Sequence, residues 1–166
     1  MIRLTPTSYI VLGLLELAGE ATPYRLKQMV AGSVGYFWTL HHAQLYTEPE
    51  RLAEAGYVSE TREATGRRRK LYSLTEKGRT ALDEWRSEPT GELAETREPA
   101  VLKLFFGADP ERLAAAQLEA NRRRLAEYEA IRDSMADDAA SGPRRALEMG
   151  IRVEQAAIAF WEEQAG

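Results

Sequence analysis

Helix starts marked by proline, two alternating runs joined by a cationic turn, and a long C-terminal stretch with a wide apolar stripe predict a mainly α fold carrying one small β-hairpin. The 166 residues divide into an N-terminal part, 1–89, of helices and hairpin, and an all-helical remainder, 90–166. With 44% hydrophobic residues the chain has enough apolar material for one compact domain or two small ones, so disorder is not the reading.

A capping residue followed by proline recurs at Thr5-Pro6, Thr22-Pro23 and Asp109-Pro110, and more loosely at Ser141-Gly142-Pro143. Proline is preorganised for the first helical position, where its missing N–H costs nothing. The spacing of Ile10, Val11, Leu14, Leu15 and Leu17 predicts a first helix over 6–18, and Pro23 opens a short second one to Val30, with a turn over Gly19–Thr22 between them. A third helix is expected over roughly 41–55, with Leu45, Leu52 and Gly56 on one face and Ala43, Gln44, Tyr46, Thr47, Glu50, Arg51 and Glu54 on the other. Pro49 conflicts with that start: an interior proline costs about 3 kcal/mol unless the helix bends or begins later. Tyr57–Arg62 and Lys70–Leu74 read as strands joined at Ala64-Thr65-Gly66, and Thr75 caps a fourth helix to about Glu88 anchored by Leu82 and Trp85. Beyond the Pro89-Thr90-Gly91 break, short helix 99–106, long helix 110–136 and last helix 143–164 complete the chain.

The formal net charge is −4, unevenly spread: +1 over residues 1–89 and −5 over 90–166. Within Arg62–Lys70 stand five cations and one anion, so the positive charge is concentrated in one short segment. The chain has no cysteine, which excludes disulfides, thiol nucleophiles and zinc sites of the Cys type, and fits the reducing cytoplasm. His41 and His42 are adjacent, hence about 100° apart on a helix, and lack partners at metal spacing. No glycine-rich phosphate loop, nucleophile elbow or spaced carboxylate pair supports an enzyme, and the N-terminal apolar run is too short and too interrupted to span a bilayer.

Three helices followed by a basic hairpin is the order of a winged helix-turn-helix, in which the third helix enters the major groove of duplex DNA and the hairpin reaches along the backbone. Phosphate requires cations, and Arg67, Arg68, Arg69 and Lys70 supply them. Because a hairpin alternates its side chains, two or three of the four can face DNA. On the third helix Gln44 can read a base edge, Tyr46 and Thr47 can donate to phosphate or base, and Ala43 permits close approach. Tyr24 and His41 complete the candidate DNA-binding set. The competing reading is a winged-helix module whose basic tip binds an acidic protein. A gel shift on DNA beside its own gene separates the two.

The last helix carries Leu147, Ile151, Ile158 and Trp161 on one stripe and Ala146, Gly150, Val153, Ala157 and Phe160 on the next. With Leu118, Leu125 and Tyr128 of the preceding helix, this face is wider than two helices can cover, so a homodimer is expected, with Leu118, Leu125, Tyr128, Leu147, Ile151, Ile158 and Trp161 as dimerisation candidates. Trp85, Phe160 and Trp161 are either packing anchors or the lining of a pocket for a small apolar or aromatic effector.

Phe37-Trp38, Gln44-Leu45-Tyr46, Arg51-Leu52, Ala55-Gly56-Tyr57-Val58, and Tyr72-Ser73-Leu74-Thr75 with Gly78, joined by Tyr24-x-Leu26 and by Leu102–Gly107 (LKLFFG), resemble the pattern of the PadR family of bacterial transcriptional regulators. The resemblance implies a dimeric DNA-binding repressor with a C-terminal helical dimerisation region, some members of which release DNA on binding small aromatic or drug-like compounds; no cofactor is implied. Many members place proline directly after the helix tyrosine, where this chain has Thr47 and carries its proline at 49.

Overall fold

The structure, a computed structural model, describes residues 2–62, 68–95, 97–135 and 141–166. They form two compact units, 1–92 and 93–166. In chain order the elements are α1 (Pro6–Ala18), β1 (Glu20–Ala21), α2 (Pro23–Ala31), a 3-10 turn over Val34–Tyr36, α3 (Gln44–Glu54), β2 (Val58–Arg62), β3 (Lys70–Leu74), α4 (Glu76–Ser87), α5 (Pro99–Phe105), α6 (Pro110–Ser134) and α7 (Gly142–Gln164). The first unit is a winged helix-turn-helix, and the fold as a whole is mainly α.

The helix starts follow from their caps. Thr5, Thr22, Asp109 and Ser141 each accept a hydrogen bond from a first-turn N–H ahead of a proline in that turn, and Thr5 with Ser8 forms a reciprocal capping box. Each such cap is worth about 1 kcal/mol. Fully buried Val11, Leu12 and Leu15 of α1 meet Leu26 of α2, Leu45 and Leu52 of α3, Tyr72 of β3 and Leu82 of α4 in one core. Leu12 takes an inner place that the sequence spacing assigned to Leu17, which is 65% exposed at the helix end.

Two features differ from the sequence expectation. Glu20–Ala21, expected as part of a turn, is a short strand that pairs antiparallel with Ser73 and Tyr72, giving a sheet of order β1-β3-β2. The third helix begins at Gln44, three residues later than the expected start at His41: residues 41–43 form a tighter turn ahead of it, in which Gln44 N donates to His41 O at 2.9 Å and Leu45 N to His42 O at 3.2 Å, and Ala43 offers no capping side chain. Pro49 nonetheless stays inside it, buried, so its apolar ring contributes to the core where its N–H is missing.

The segment after α3 is fixed by two glycines. Gly56 ends the helix at φ 76, a left-handed conformation that a Cβ disfavours. Tyr57 N donates to Leu52 O at 2.9 Å and Gly56 N to Ala53 O at 3.0 Å, the two bonds of a Schellman motif. Thr75 Oγ1 lies 2.8 Å from the carbonyl oxygens of both Gly56 and Tyr57 while accepting from Gly78 N at 3.1 Å. A Cβ on Gly78 would collide with the Tyr57 carbonyl oxygen, so α4 approaches this turn as closely as only glycine permits. Lys77 adds a hydrogen bond to Ala55 O at 2.6 Å and sits 4.3 Å from the centroid of the Tyr57 ring.

In the second unit α6 and α7 pack along their lengths, with the ring of Tyr128 over Gly150, where a Cβ would stand 3.0 Å from Cε2. Trp161, 3% exposed, closes a core with Ala100 of α5 and Ala114 of α6, and Leu104, Leu113 and Leu118 pack against it. No helix among the described residues is long and apolar enough to cross a membrane.

Candidate nucleic-acid interface

The outward face of α3 is Gln44, Tyr46, Thr47 and Glu50, all exposed, with Ala43 exposed just before the first turn. Leu45, Pro49 and Leu52 lie beneath and hold the helix to the body. Burying each leucine contributes about 1.5–3 kcal/mol. A polar anchor reinforces this attachment. The Glu48 carboxylate, 9% exposed by residue, accepts from Arg51 Nη2 and from Ser8 Oγ, each at 2.6 Å, while Arg51 Nε donates to its other oxygen at 2.9 Å. Arg51 Nη1 reaches Arg3 O at 3.2 Å, so one guanidinium ties α3 to both α1 and the chain ahead of it. From its spacing Arg51 is expected on the open face with Tyr46. The structure turns it towards α1 instead, because Glu48 is buried three residues away and needs a partner.

The polar groups at the head of α3 are held locally. Gln44 Oε1 accepts from His41 N at 3.3 Å, and Thr47 Oγ1 donates to Ala43 O at 3.4 Å. His41 is exposed beside this head, as is Tyr24 on α2. The Gln44 side chain is held at this head by one weak local bond. Among the described residues no group of three or more His, Cys, Asp or Glu could hold a metal ion.

The wing separates the four cations expected to meet phosphate. Arg67, with the expected turn Ala64-Thr65-Gly66, lies outside the described residues. Arg68 and Arg69 are exposed ahead of β3, Arg68 in a left-handed conformation at φ 49 that aims the chain into the strand. Lys70 is less exposed than either. It opens β3 opposite Arg62, and its ammonium is 2.7 Å from Glu50 Oε1 of α3 and 3.2 Å from Glu60 Oε2 of β2. Hydrogen bonding to Glu50 and then Glu60 raises the Lys70 pKa above its ordinary value, and the bond from Lys70 lowers that of Glu60. Tyr72, directly opposite Glu60, donates to Glu60 Oε2 at 3.1 Å, and burial, aided by that bond, pushes its hydroxyl up to about 12. Glu50 stood on the α3 face and Glu60 in the wing strand in the sequence reading; that both would converge on Lys70 was not legible there.

The residues expected at a subunit interface fall differently. Tyr128, Ile151 and Trp161 are buried between helices of this same chain, and Leu118, Leu125, Leu147 and Ile158 are partly buried, so the stripe is filled largely from within. Left in solvent are Val101, Leu102, Phe105 and Phe106 on or next to α5, with Met149, Val153 and Phe160 on α7. Phe105 and Phe106 are 80% and 78% exposed, which is unusual for large aromatics. Of the aromatics considered for an effector pocket, Trp85 belongs to the first unit, stacked on Tyr9 at 4.7 Å and 8°, while Phe160 meets Trp161 edge to face in the second.

Comparison with known proteins bears on this arrangement. Residues 11–84 match the model of the transcriptional regulator PadR-like family, and residues 96–165 match that of the virulence activator alpha C-terminal family. The negative transcriptional regulator PadR of Bacillus subtilis is 31% identical over 59% of this chain and 54% of its own length, so the match spans about half of that relative. The crystal structure of Bacillus subtilis PadR in complex with operator DNA superposes with a TM-score of 0.82 at 21% identity, covering 98% of this chain and 97% of that one. The same regulator in complex with p-coumaric acid superposes at 0.78 and 21% identity over 97% and 96% of the two chains. The fold and the match over residues 11–84 agree: in its first unit this chain is similar to the PadR-like family, whose members are transcriptional regulators and not enzymes.

Proposed function

We propose that the protein is a homodimeric repressor that binds a palindromic operator in the cytoplasm and is released from it by a small aromatic compound. The observation that carries the reading is the pairing, in one compact unit, of an exposed polar α3 face with a wing on which Arg68 and Arg69 are exposed. The helix supplies base-edge readout and the wing supplies phosphate contacts, a division of labour that gives sequence preference and affinity from separate elements. Repression is favoured because occupying a promoter needs no surface beyond the DNA-binding one.

Two wing contacts per subunit would make log K fall with log salt by about 0.9 per neutralised phosphate. Replacing Arg68 and Arg69 together by alanine is expected to weaken binding to operator and to random duplex alike and to flatten the salt slope by about 2 per subunit. Anisotropy titrations over a salt series check this; an unchanged slope would mean that the wing carries a solvated charge run and nothing more.

Release by an aromatic ligand is supported by the Tyr9–Trp85 stack, whose Trp85 ring is 47% exposed and presents a planar apolar face, and by the relative solved with p-coumaric acid. Planar phenolic acids are expected to quench tryptophan emission and to dissociate the DNA complex over the same concentration range. Quenching without dissociation would contradict effector release.

A further inference from the structure

We infer that Lys70 is a positioning residue that joins the wing to the recognition helix, and not a phosphate contact. The inference rests on the DNA-binding reading only for its functional consequence; the junction itself is a property of the free protein.

Strand alternation places Lys70, Tyr72 and Glu60 on one face of the hairpin, and because Tyr72 is completely buried that face is the one turned to the body of the first unit. The Lys70 side chain therefore leaves the wing inward, towards α3, where Glu50 Oε1 meets it at 2.7 Å. Glu60 Oε2, fixed from the other side by the Tyr72 hydroxyl at 3.1 Å, takes the second contact at 3.2 Å. One ammonium thus bridges a carboxylate of the recognition helix and a carboxylate of the wing at the last ladder position, Arg62 opposite Lys70, before the hairpin leaves the sheet.

The charges argue the same way. Lys70 meets two carboxylates, and with Arg62 opposite it, whose charge also acts on Glu60, the cluster is neutral overall, so the Lys70 charge is already matched within the protein. Its effect on DNA binding is indirect: it neutralises Glu50, the acid on the exposed face of α3, and holds the root of the wing at a set distance from that helix. Glu48, the acid before it, is already neutralised by Arg51. Two of the three acids of α3, Glu48 and Glu50, are thus paired within the protein and are not presented to DNA as unpaired charges.

The test compares Lys70→Met, Glu50→Gln and the double variant in full-length protein. If Lys70 met phosphate, Glu50→Gln would release it and tighten DNA binding, and Lys70→Met would flatten the salt slope by about 0.9. As a positioning residue, Lys70 predicts the opposite sign for Glu50→Gln: each single variant weakens operator binding about two- to fivefold, the slope stays, and the double variant is no weaker than Lys70→Met alone. Without DNA, amide exchange at Thr61 and Leu71 is expected to quicken about two- to fivefold in both single variants. This second readout stands if the wild-type protein proves to bind no duplex, so failure of the functional reading and failure of the junction are told apart. Tighter binding by Glu50→Gln, a flattened slope in Lys70→Met, or unchanged exchange in both would each overturn the inference.

Discussion

Replacing Phe105 and Phe106 together by glutamate is expected to give a folded monomer whose affinity for a palindromic operator is lower by roughly 10²–10⁴. Both rings stand almost wholly in solvent beside exposed Leu102, and a large apolar side chain gains about 1.5–3 kcal/mol on full burial, so in the proposed dimer this cluster is the expected seat of the second copy. Two linked recognition helices can address half-sites about one helical turn apart, and losing the link leaves each half-site to bind alone and weakly. The substitutions touch no buried contact of the second unit. Truncation after Ser141 would be a poorer test, because it strips Ile151 and Trp161 from the core that α6 shares with α7. Sedimentation together with anisotropy decides the matter: a double variant that remains a dimer at full operator affinity would remove α5 from the interface.

The second large effect concerns stability. Gly78→Ala is expected to destabilise the first unit by about 3 kcal/mol or more, since the new methyl group meets the Tyr57 carbonyl oxygen and that backbone is already held by Thr75 and the Schellman turn. Gly13→Ala, in the interior of α1 with nothing within 4 Å of the added Cβ, is the matched control and should stabilise by about 0.5–1 kcal/mol. Urea unfolding measures both. Equal small effects would show that the close approach of α4 to the α3 turn is not a constraint on this fold.

These two glycines illustrate what the sequence makes legible. Caps and prolines are local signals, so the helices opening at Pro6, Pro23 and Pro110 could be placed from residues next to them. The two-residue strand Glu20–Ala21 could not, because it exists only by pairing with Tyr72 and Ser73, some fifty positions away. The start of α3 was missed for the opposite reason: Ala43 carries no capping oxygen, so nothing local marks it. For the site, residue types on α3 and the wing were readable, whereas their charge state was not. Lys70 reads as a free cation in a run of four, yet Glu50 and Glu60 come to it from two other elements. Similarly, an apolar stripe such as Leu147, Ile151 and Trp161 records that a face is buried but not by which chain; here α6 and α5 of the same chain take much of it.

The central claim is that α3 reads sequence, with Gln44 at its head as a base contact. The direct measurement takes duplexes selected from a random pool by the wild-type protein and compares their affinity with that of scrambled duplexes at one salt concentration, for wild type and Gln44→Ala. The account predicts that wild type prefers the selected duplex by about 10³ or more and that Gln44→Ala narrows this gap by about 1–3 kcal/mol while random-duplex affinity stays the same. Equal affinity of the wild-type protein for selected and scrambled duplexes, or an equal loss on both in the variant, would contradict it.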